Sequence, residues 1–204
     1  MMRLLDFIFP PRSDEAVLRN TPDEAFYTLI DPRVIPATQP GTVSLLPFAD
    51  PRVRAAIHEA KYHGNKRSFG LLGGILAEYL RDADEIRSAA TLVPIPLGRT
   101  RRKKRGFNQA EEIVRCAVKE LGLTIDTRVI GRVRETASQV SLPRRAREEN
   151  MRGAFAPLRS ADPASTYILV DDVTTTGATL QAAVDALRAA GAVYILPVAL
   201  AHAD

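Results

Sequence analysis

Two adjacent carboxylates, Asp171 and Asp172, follow the apolar run Tyr167–Val170 and precede a threonine-rich turn, so the segment reads YILVDDVTTTGAT. An ionised carboxylate only accepts hydrogen bonds, and two side by side suit the neighbouring hydroxyls of a sugar diol. Thr174, Thr175, Thr176 and Thr179 offer hydroxyl donors, while Gly177, followed in the loop by Ala178, lets the backbone curl so that its N–H groups converge. A phosphate seated there gains the partial positive charge of a following helix N-terminus. A diol beside a phosphate describes a ribose 5-phosphate. The competing reading is a solvated strand-to-helix turn in which acids and threonines merely cap. The unbroken order, four apolar residues, two acids, one apolar residue and then T-x-x-G-x-T, argues against it. Neither G-x-x-x-x-G-K-[ST] nor G-x-G-x-x-G occurs, which removes a P-loop and a dinucleotide fingerprint.

Basic residues form a second candidate set. Six of the seven residues from Arg99 to Arg105 are Lys or Arg, and Arg128, Arg132, Arg134, Arg144, Arg145, Arg147 and Arg152 follow further on. Such clusters suit a polyanion, either a pyrophosphate or a nucleic-acid backbone. For Arg99–Arg105, including Arg101, the readings are a pyrophosphate contact, a nucleic-acid contact or a solvated basic loop. Arg105, Asn108 and Gln109 are candidates for a fixed ligand contact or, equally, for helix capping and packing. Lys61 reads as a helix-surface lysine that can reach an anionic substrate. His58, His63 and His202 have no metal-like spacing.

The elements that must position these residues follow from pattern. Asp50 before Pro51, with Val53, Ile57 and Ala60 at helical spacing, predicts a helix ending near Gly64, and a second helix starts at Ser68. Thr91–Pro96 predicts a strand, where Pro94 and Pro96 permit a cis peptide. Asn108 and Glu111 resemble a capping box opening a helix to Gly122. Tyr167–Val170 predicts a buried strand, Ala178–Ala190 a helix ending at Gly191, and Val193–Leu200 the last strand. This alternation implies an α/β fold with a parallel sheet flanked by helices. Eight of the fourteen prolines lie between Pro10 and Pro51, so residues 1–48 read as an extension with short strands at Phe26–Ile30 and Val43–Phe48 and no long helix. Residues 49–204 form the main domain.

With 46% hydrophobic and 25% charged residues the chain has a soluble globular composition. Its longest apolar stretch, Ala189–Ala201, is shorter than the roughly 18 residues a membrane span needs and contains Pro197, so no membrane insertion is expected. Cys116 is the single cysteine, which excludes disulfides and a thiolate zinc site and fits a cytoplasmic protein.

The segment YILVDDVTTTGAT resembles the phosphoribosyl pyrophosphate motif of type I phosphoribosyltransferases. Val93–Ile113 (VPIPLGRTRRKKRGFNQAEEI), Gln139–Phe155 (QVSLPRRAREENMRGAF) and KYHG at Lys61–Gly64 resemble the ComF/GntX-type members linked to DNA uptake in competent bacteria. The resemblance implies a type I phosphoribosyltransferase-like sheet with the N-terminal extension as hood. It implies phosphoribosyl transfer from phosphoribosyl pyrophosphate to an unidentified nitrogen acceptor, with Mg2+ carried mainly by the substrate. Arg134–Arg152 corresponds to the mobile loop of this fold, with Gln139, Arg147 and Asn150 as its polar contacts. Single-stranded DNA or competence and DNA-processing proteins are implied partners. Most members open with a cysteine-rich zinc module; those cysteines are missing here, so zinc is not carried over. A non-catalytic, nucleotide-sensing or DNA-associated adaptor is the alternative function.

Overall fold

The computed structural model describes residues 12–83, 90–136 and 149–203. Its centre is a six-stranded sheet in the order β1-β2-β8-β7-β3-β4, with β1 (Arg33–Ile35), β2 (Thr42–Pro47), β3 (Ala90–Pro94), β4 (Thr124–Ile125), β7 (Thr166–Thr174) and β8 (Tyr194–His202). Only β1 runs antiparallel to its neighbour. A separate two-stranded ribbon joins β5 (Ile130–Arg132) to β6 (Phe155–Pro157). The chain is therefore α/β with a mostly parallel central sheet flanked by helices.

Alternation along the strands divides the interior in two. Leu92, Ile168, Val170, Val198 and Leu200 enter one core, whereas Val93, Tyr167, Leu169 and Ala199 enter the other. Successive strand side chains point to opposite faces, so strands covered on both sides must be apolar throughout. Three helices supply the first core: α3 (Pro51–His63), α4 (Lys66–Asp82) and α6 (Gln109–Leu121). The second is supplied by α7 (Ala178–Ala189) and the β5–β6 ribbon. Ile168 and Leu169 are fully buried, and each such side chain stabilises the fold by about 2 kcal/mol.

Local sequence accounts for the helix ends. Asp50 accepts from the Arg52 N–H at 2.8 Å and Pro51 occupies the first helical position of α3. Gly64 closes that helix in the left-handed region, where a side chain would also press on Phe107. Asn65 caps α4 through the N–H groups of Arg67 and Ser68.

Several expectations are corrected. Among the described residues before Pro51 there are two short helices, α1 (Ser13–Asn20) and α2 (Glu24–Tyr27), and Phe26 lies in the second instead of in a strand. Leu18 and Phe26 enter the first core, so burial overrides the weak local pattern. The basic stretch is the helix α5 (Arg99–Arg105), closed by Gly106 at φ 84°, and not a loop. The single cis peptide among the described residues is Gln39–Pro40, not a bond at Pro94 or Pro96. The strand expected at Val43–Phe48 is present, as β2 (Thr42–Pro47), and it pairs with β8 in the main sheet.

Candidate functional site

The strand order creates the opening. From β3 the chain passes through α6 to β4 on one side, and from β7 it passes through α7 to β8 on the other. The carboxyl ends of β3 and β7 thus diverge, which is where open parallel sheets bind ligands. The β3–β7 ladder ends at Pro94–Val170, with a last bond from Ile95 N–H to the Val170 carbonyl at 2.9 Å. β7 continues to Thr174, paired with β8 alone through Asp171–Ala199 and Thr174–His202. Asp171 and Asp172 therefore lie within a strand, and not at its end, on an edge that β3 has left.

Asp172 is held from the first-core face. Gln109 Nε2 donates to its Oδ2 at 2.9 Å, Lys61 Nζ lies 3.4 Å from the same oxygen, and the Val173 N–H donates to Oδ1 at 2.8 Å. Burial alone would raise its pKa, but the Lys61 charge and these hydrogen bonds hold it below the ordinary carboxylate value. Asp171 accepts from the Asp172 N–H at 2.9 Å; burial first, then the Asp172 charge, push it up to about 7. The pair thus carries between one and two negative charges near neutrality. Lys61, facing Asp172 from the end of α3, has its own pKa raised by that carboxylate. It is an ion-pair partner of the candidate diol site and not a solvated lysine.

The start of α6 fixes this arrangement. Arg105 donates to Gln109 Oε1, which leaves the Gln109 amide nitrogen facing Asp172, and the Arg105 guanidinium lies 5.5 Å from the Tyr62 ring centroid. Asn108 caps α6 through the Ala110 N–H and donates from Nδ2 to the Ile95 carbonyl at 2.9 Å. Asn108 is therefore structural, tying the end of β3 to α6. Glu111 pairs with Arg102 and Arg115, so the expected capping box forms only its Asn108 half.

The threonine turn follows at once. Thr174 is buried, and its carbonyl accepts from the Ala203 N–H. Gly177 caps α7 at φ 74°, and Thr176 Oγ1 accepts from the Ala178 N–H at 3.4 Å. A Cβ on Gly177 would lie 2.8 Å from the Ala37 carbonyl oxygen, so residues of the N-terminal extension back the turn. Gln39 N–H also donates to Gln181 Oε1 on α7 at 2.7 Å. Thr175 and Thr179 are half-buried in the same turn. A cavity of about 250 Å3, lined by Ala37, Arg152, Thr176, Ala178 and Gln181, flanks it.

The other basic candidates separate. Arg101 donates to the Thr136 carbonyl at 3.2 Å, while Arg99, Lys103 and Lys104 are exposed. Asn150 is half-buried, and its carbonyl accepts from Arg134. Gln139 and Arg147 lie outside the described residues. Arg132, one of the basic residues clustered in the sequence, is half-buried on β5 and close enough to Asp171 to feel its charge. Among the described residues no group of three or more His, Cys, Asp or Glu is placed to hold a metal ion.

The fold and site together define a parallel α/β protein with a carboxylate pair and a threonine turn at the point where strand order reverses. No family model matches the chain. It is 30% identical over 133 residues to the DNA utilization protein YhgH of Salmonella typhimurium, covering 64% of this chain and 58% of that protein. It is 31% identical over 137 residues to competence protein F of Haemophilus influenzae, covering 65% and 60% respectively. Against the Escherichia coli K12 DNA utilization protein YhgH the identity is 28% over 141 residues, covering 68% and 61%. The chain thus spans about three fifths of the length of these relatives. The matches support the ComF-like resemblance. No helix among the described residues is long and apolar enough to cross a membrane.

Proposed function

We propose that this chain binds phosphoribosyl pyrophosphate and transfers its phosphoribosyl group to a nitrogen acceptor, on a fold of the type I phosphoribosyltransferase kind. One observation carries the reading: Asp171 and Asp172 sit on an uncovered strand edge directly before a glycine-capped threonine turn. The carboxylates accept from the ribose 2′- and 3′-hydroxyls, and the turn from Thr174 to Thr179 donates to the 5-phosphate. In the reaction the C1–O bond breaks, pyrophosphate leaves with the electron pair, and a C1–N bond forms. The protein contributes position and electrostatics. Mg2+ would be carried mainly by the substrate's own oxygens and would neutralise the leaving group. Zinc has no place in this reading, and residues preceding the main domain act as the hood. The names of the relatives, competence protein F and DNA utilization protein, support a role connected with competence and the use of DNA.

A second reading, a nucleotide-sensing or DNA-associated adaptor, is favoured by the exposed Lys103 and Lys104 on α5. Release of labelled pyrophosphate, measured with a panel of nitrogen bases and amines, separates the two. Acceptor-dependent release is expected. Tight binding with no release from any acceptor in the panel would favour the adaptor.

A further inference from the structure

Glu59 is a fully buried carboxylate that the proposed reaction does not use. It lies on the last turn of α3, two residues before Lys61. Arg12, just ahead of α1, grips it with a fork of two hydrogen bonds, Nε to Oε1 at 3.0 Å and Nη2 to Oε2 at 2.8 Å. Asn65 Nδ2 donates to Oε2 at 3.1 Å, and His63 Nε2 lies 3.8 Å from Oε1. Burial alone would raise the Glu59 pKa, but the hydrogen bonds from Arg12 and Asn65 and the neighbouring charges hold it below the ordinary carboxylate value. Taking a charge out of water is costly, and an apolar side chain would pack here without that cost. What the charge provides is direction: it orients the groups that bind it.

Those groups frame the turn that carries Lys61. The Glu59 carbonyl accepts from the N–H groups of Gly64 and Asn65, while its carboxylate accepts from the Asn65 side chain. Asn65 Oδ1 in turn caps α4 through the N–H groups of Arg67 and Ser68. Both ends of Glu59 thus fix the corner between α3 and α4, with Lys61, Tyr62 and His63 inside it. On the far side, a Cβ on Gly64 would lie 3.1 Å from the Phe107 ring, so the corner has no slack. Lys61 leaves it toward Asp172 Oδ2, 3.4 Å away, with Tyr62, Asp171 and Arg105 as its other titratable neighbours. Residues two apart on a helix do not face each other, so Glu59 acts on Lys61 through the backbone of the turn and not by contact.

Arg12 brings the segment before α3 into this arrangement from 47 residues away. Glu15 Oε2, 3.3 Å from the same Nη2, steadies the guanidinium from α1. Two further contacts strap that segment to the helix pair: His58 Nδ1 lies 3.2 Å from Asp14 Oδ2, and Arg67 reaches Asp23 and the Leu18 and Thr21 carbonyls. Of these, only the Arg12 contact ends on a buried charge. We infer that Arg12 and Glu59 are positioning residues for the candidate site: their ion pair sets the α3–α4 corner, the corner sets Lys61, and Lys61 holds Asp172. The link from Arg12 to Lys61 stands without a ligand; its consequence for binding rests on the phosphoribosyl pyrophosphate reading.

The test is competitive labelling of the full, unliganded chain with acetic anhydride, read by mass spectrometry, with exposed Lys103 and Lys104 as references in the same sample. Only the uncharged amine reacts, so the contact with Asp172 protects Lys61. Arg12→Gln should raise the relative labelling of Lys61 by roughly threefold or more, as Asp172→Asn does directly. Arg12→Lys, which keeps the charge but not the fork, should fall between, and it serves if Arg12→Gln does not fold. Adding Glu59→Gln to Arg12→Gln should recover part of the protection, because no buried charge is then left unpaired. Unchanged Lys61 labelling in Arg12→Gln overturns the inference and makes the Arg12–Glu59 pair a purely structural contact. In a second arm, calorimetric binding of phosphoribosyl pyrophosphate with Mg2+ should weaken by roughly threefold in Arg12→Gln, and Arg12→Gln should cost little more once Lys61→Gln is present. Additive losses would contradict the coupling. A wild-type chain that binds no phosphoribosyl pyrophosphate sinks the proposed function, while the labelling still decides the link from Arg12 to Lys61.

Discussion

Lys61 Nζ stands 3.4 Å from Asp172 Oδ2, joining the last turn of α3 to the carboxylate pair on β7. That contact makes the pair asymmetric. Asp172, next to the cation, keeps its charge, and Asp171, one residue away, takes the burden of burial and repulsion. A diol bound there as proposed would meet one permanent acceptor and one whose charge depends on pH near neutrality.

Asp171→Asn should change stability in a pH-dependent way. Its folded pKa of about 7 lies above the ordinary aspartate value, so the folded chain binds that proton more tightly than the unfolded chain. The associated stability is fully present at acidic pH and is lost as pH rises toward 7. The Asn variant should thus exceed wild type by on the order of 1–3 kcal/mol at pH 8, with the gap closing by pH 4. Urea unfolding at both pH values checks this. A gap of the same size at both would mean that Asp171 does not titrate as described.

Gly177→Ala should disturb the turn without touching the carboxylates. The position has φ 74°, and a Cβ would meet the Ala37 carbonyl oxygen at 2.8 Å, which backbone cannot evade cheaply. A loss of about 2 kcal/mol or more is expected from strain and contact together. Ligand binding should weaken as the N–H groups of the turn move apart. An Ala variant of unchanged stability would show that the extension does not pack on the turn.

Much of this site was legible in the primary structure, for identifiable reasons. Asp171, Asp172 and Thr174–Thr179 are contiguous, so their chemistry is readable without knowing the fold. Gln109 was readable as part of a helix start, but its partner Asp172 was not, because that contact depends on the β3–β7 pairing. The extension of β7 to Thr174 was hidden for the same reason: the polar residues after Val170 look like a loop until β8 supplies the second ladder. Helix α5 could have been anticipated from Gly98 and Gly106 bracketing residues of good helix propensity. Arg132 gave no local sign, since nothing in GRVRE distinguishes a half-buried arginine from an exposed one.

The exposed lysines of α5 should be separable from the crevice. Lys103→Gln with Lys104→Gln removes two charges that face solvent, so phosphoribosyl pyrophosphate affinity should stay within about twofold, while the salt slope of single-stranded DNA binding should shrink by about 1.4. Fluorescence anisotropy over a salt series reads this directly. A large loss of phosphoribosyl pyrophosphate affinity would place these lysines in the ligand site and contradict their reading as solvent-facing charges.

On the proposed function, the folded crevice binds phosphoribosyl pyrophosphate through Asp171 and Asp172. Binding to the folded chain alone raises stability by about 2.7 kcal/mol at a ligand concentration ~100 times the dissociation constant. For a chain of this size each kcal/mol moves the melting midpoint by roughly 2–4 °C, so phosphoribosyl pyrophosphate with Mg2+ should raise it by about 5–10 °C. Asp171→Asn with Asp172→Asn should abolish most of that shift, and Thr176→Val should reduce it modestly because backbone N–H groups still hold the phosphate. A wild-type midpoint unmoved at saturating ligand, or a shift that survives intact in the double Asn variant, would contradict the account.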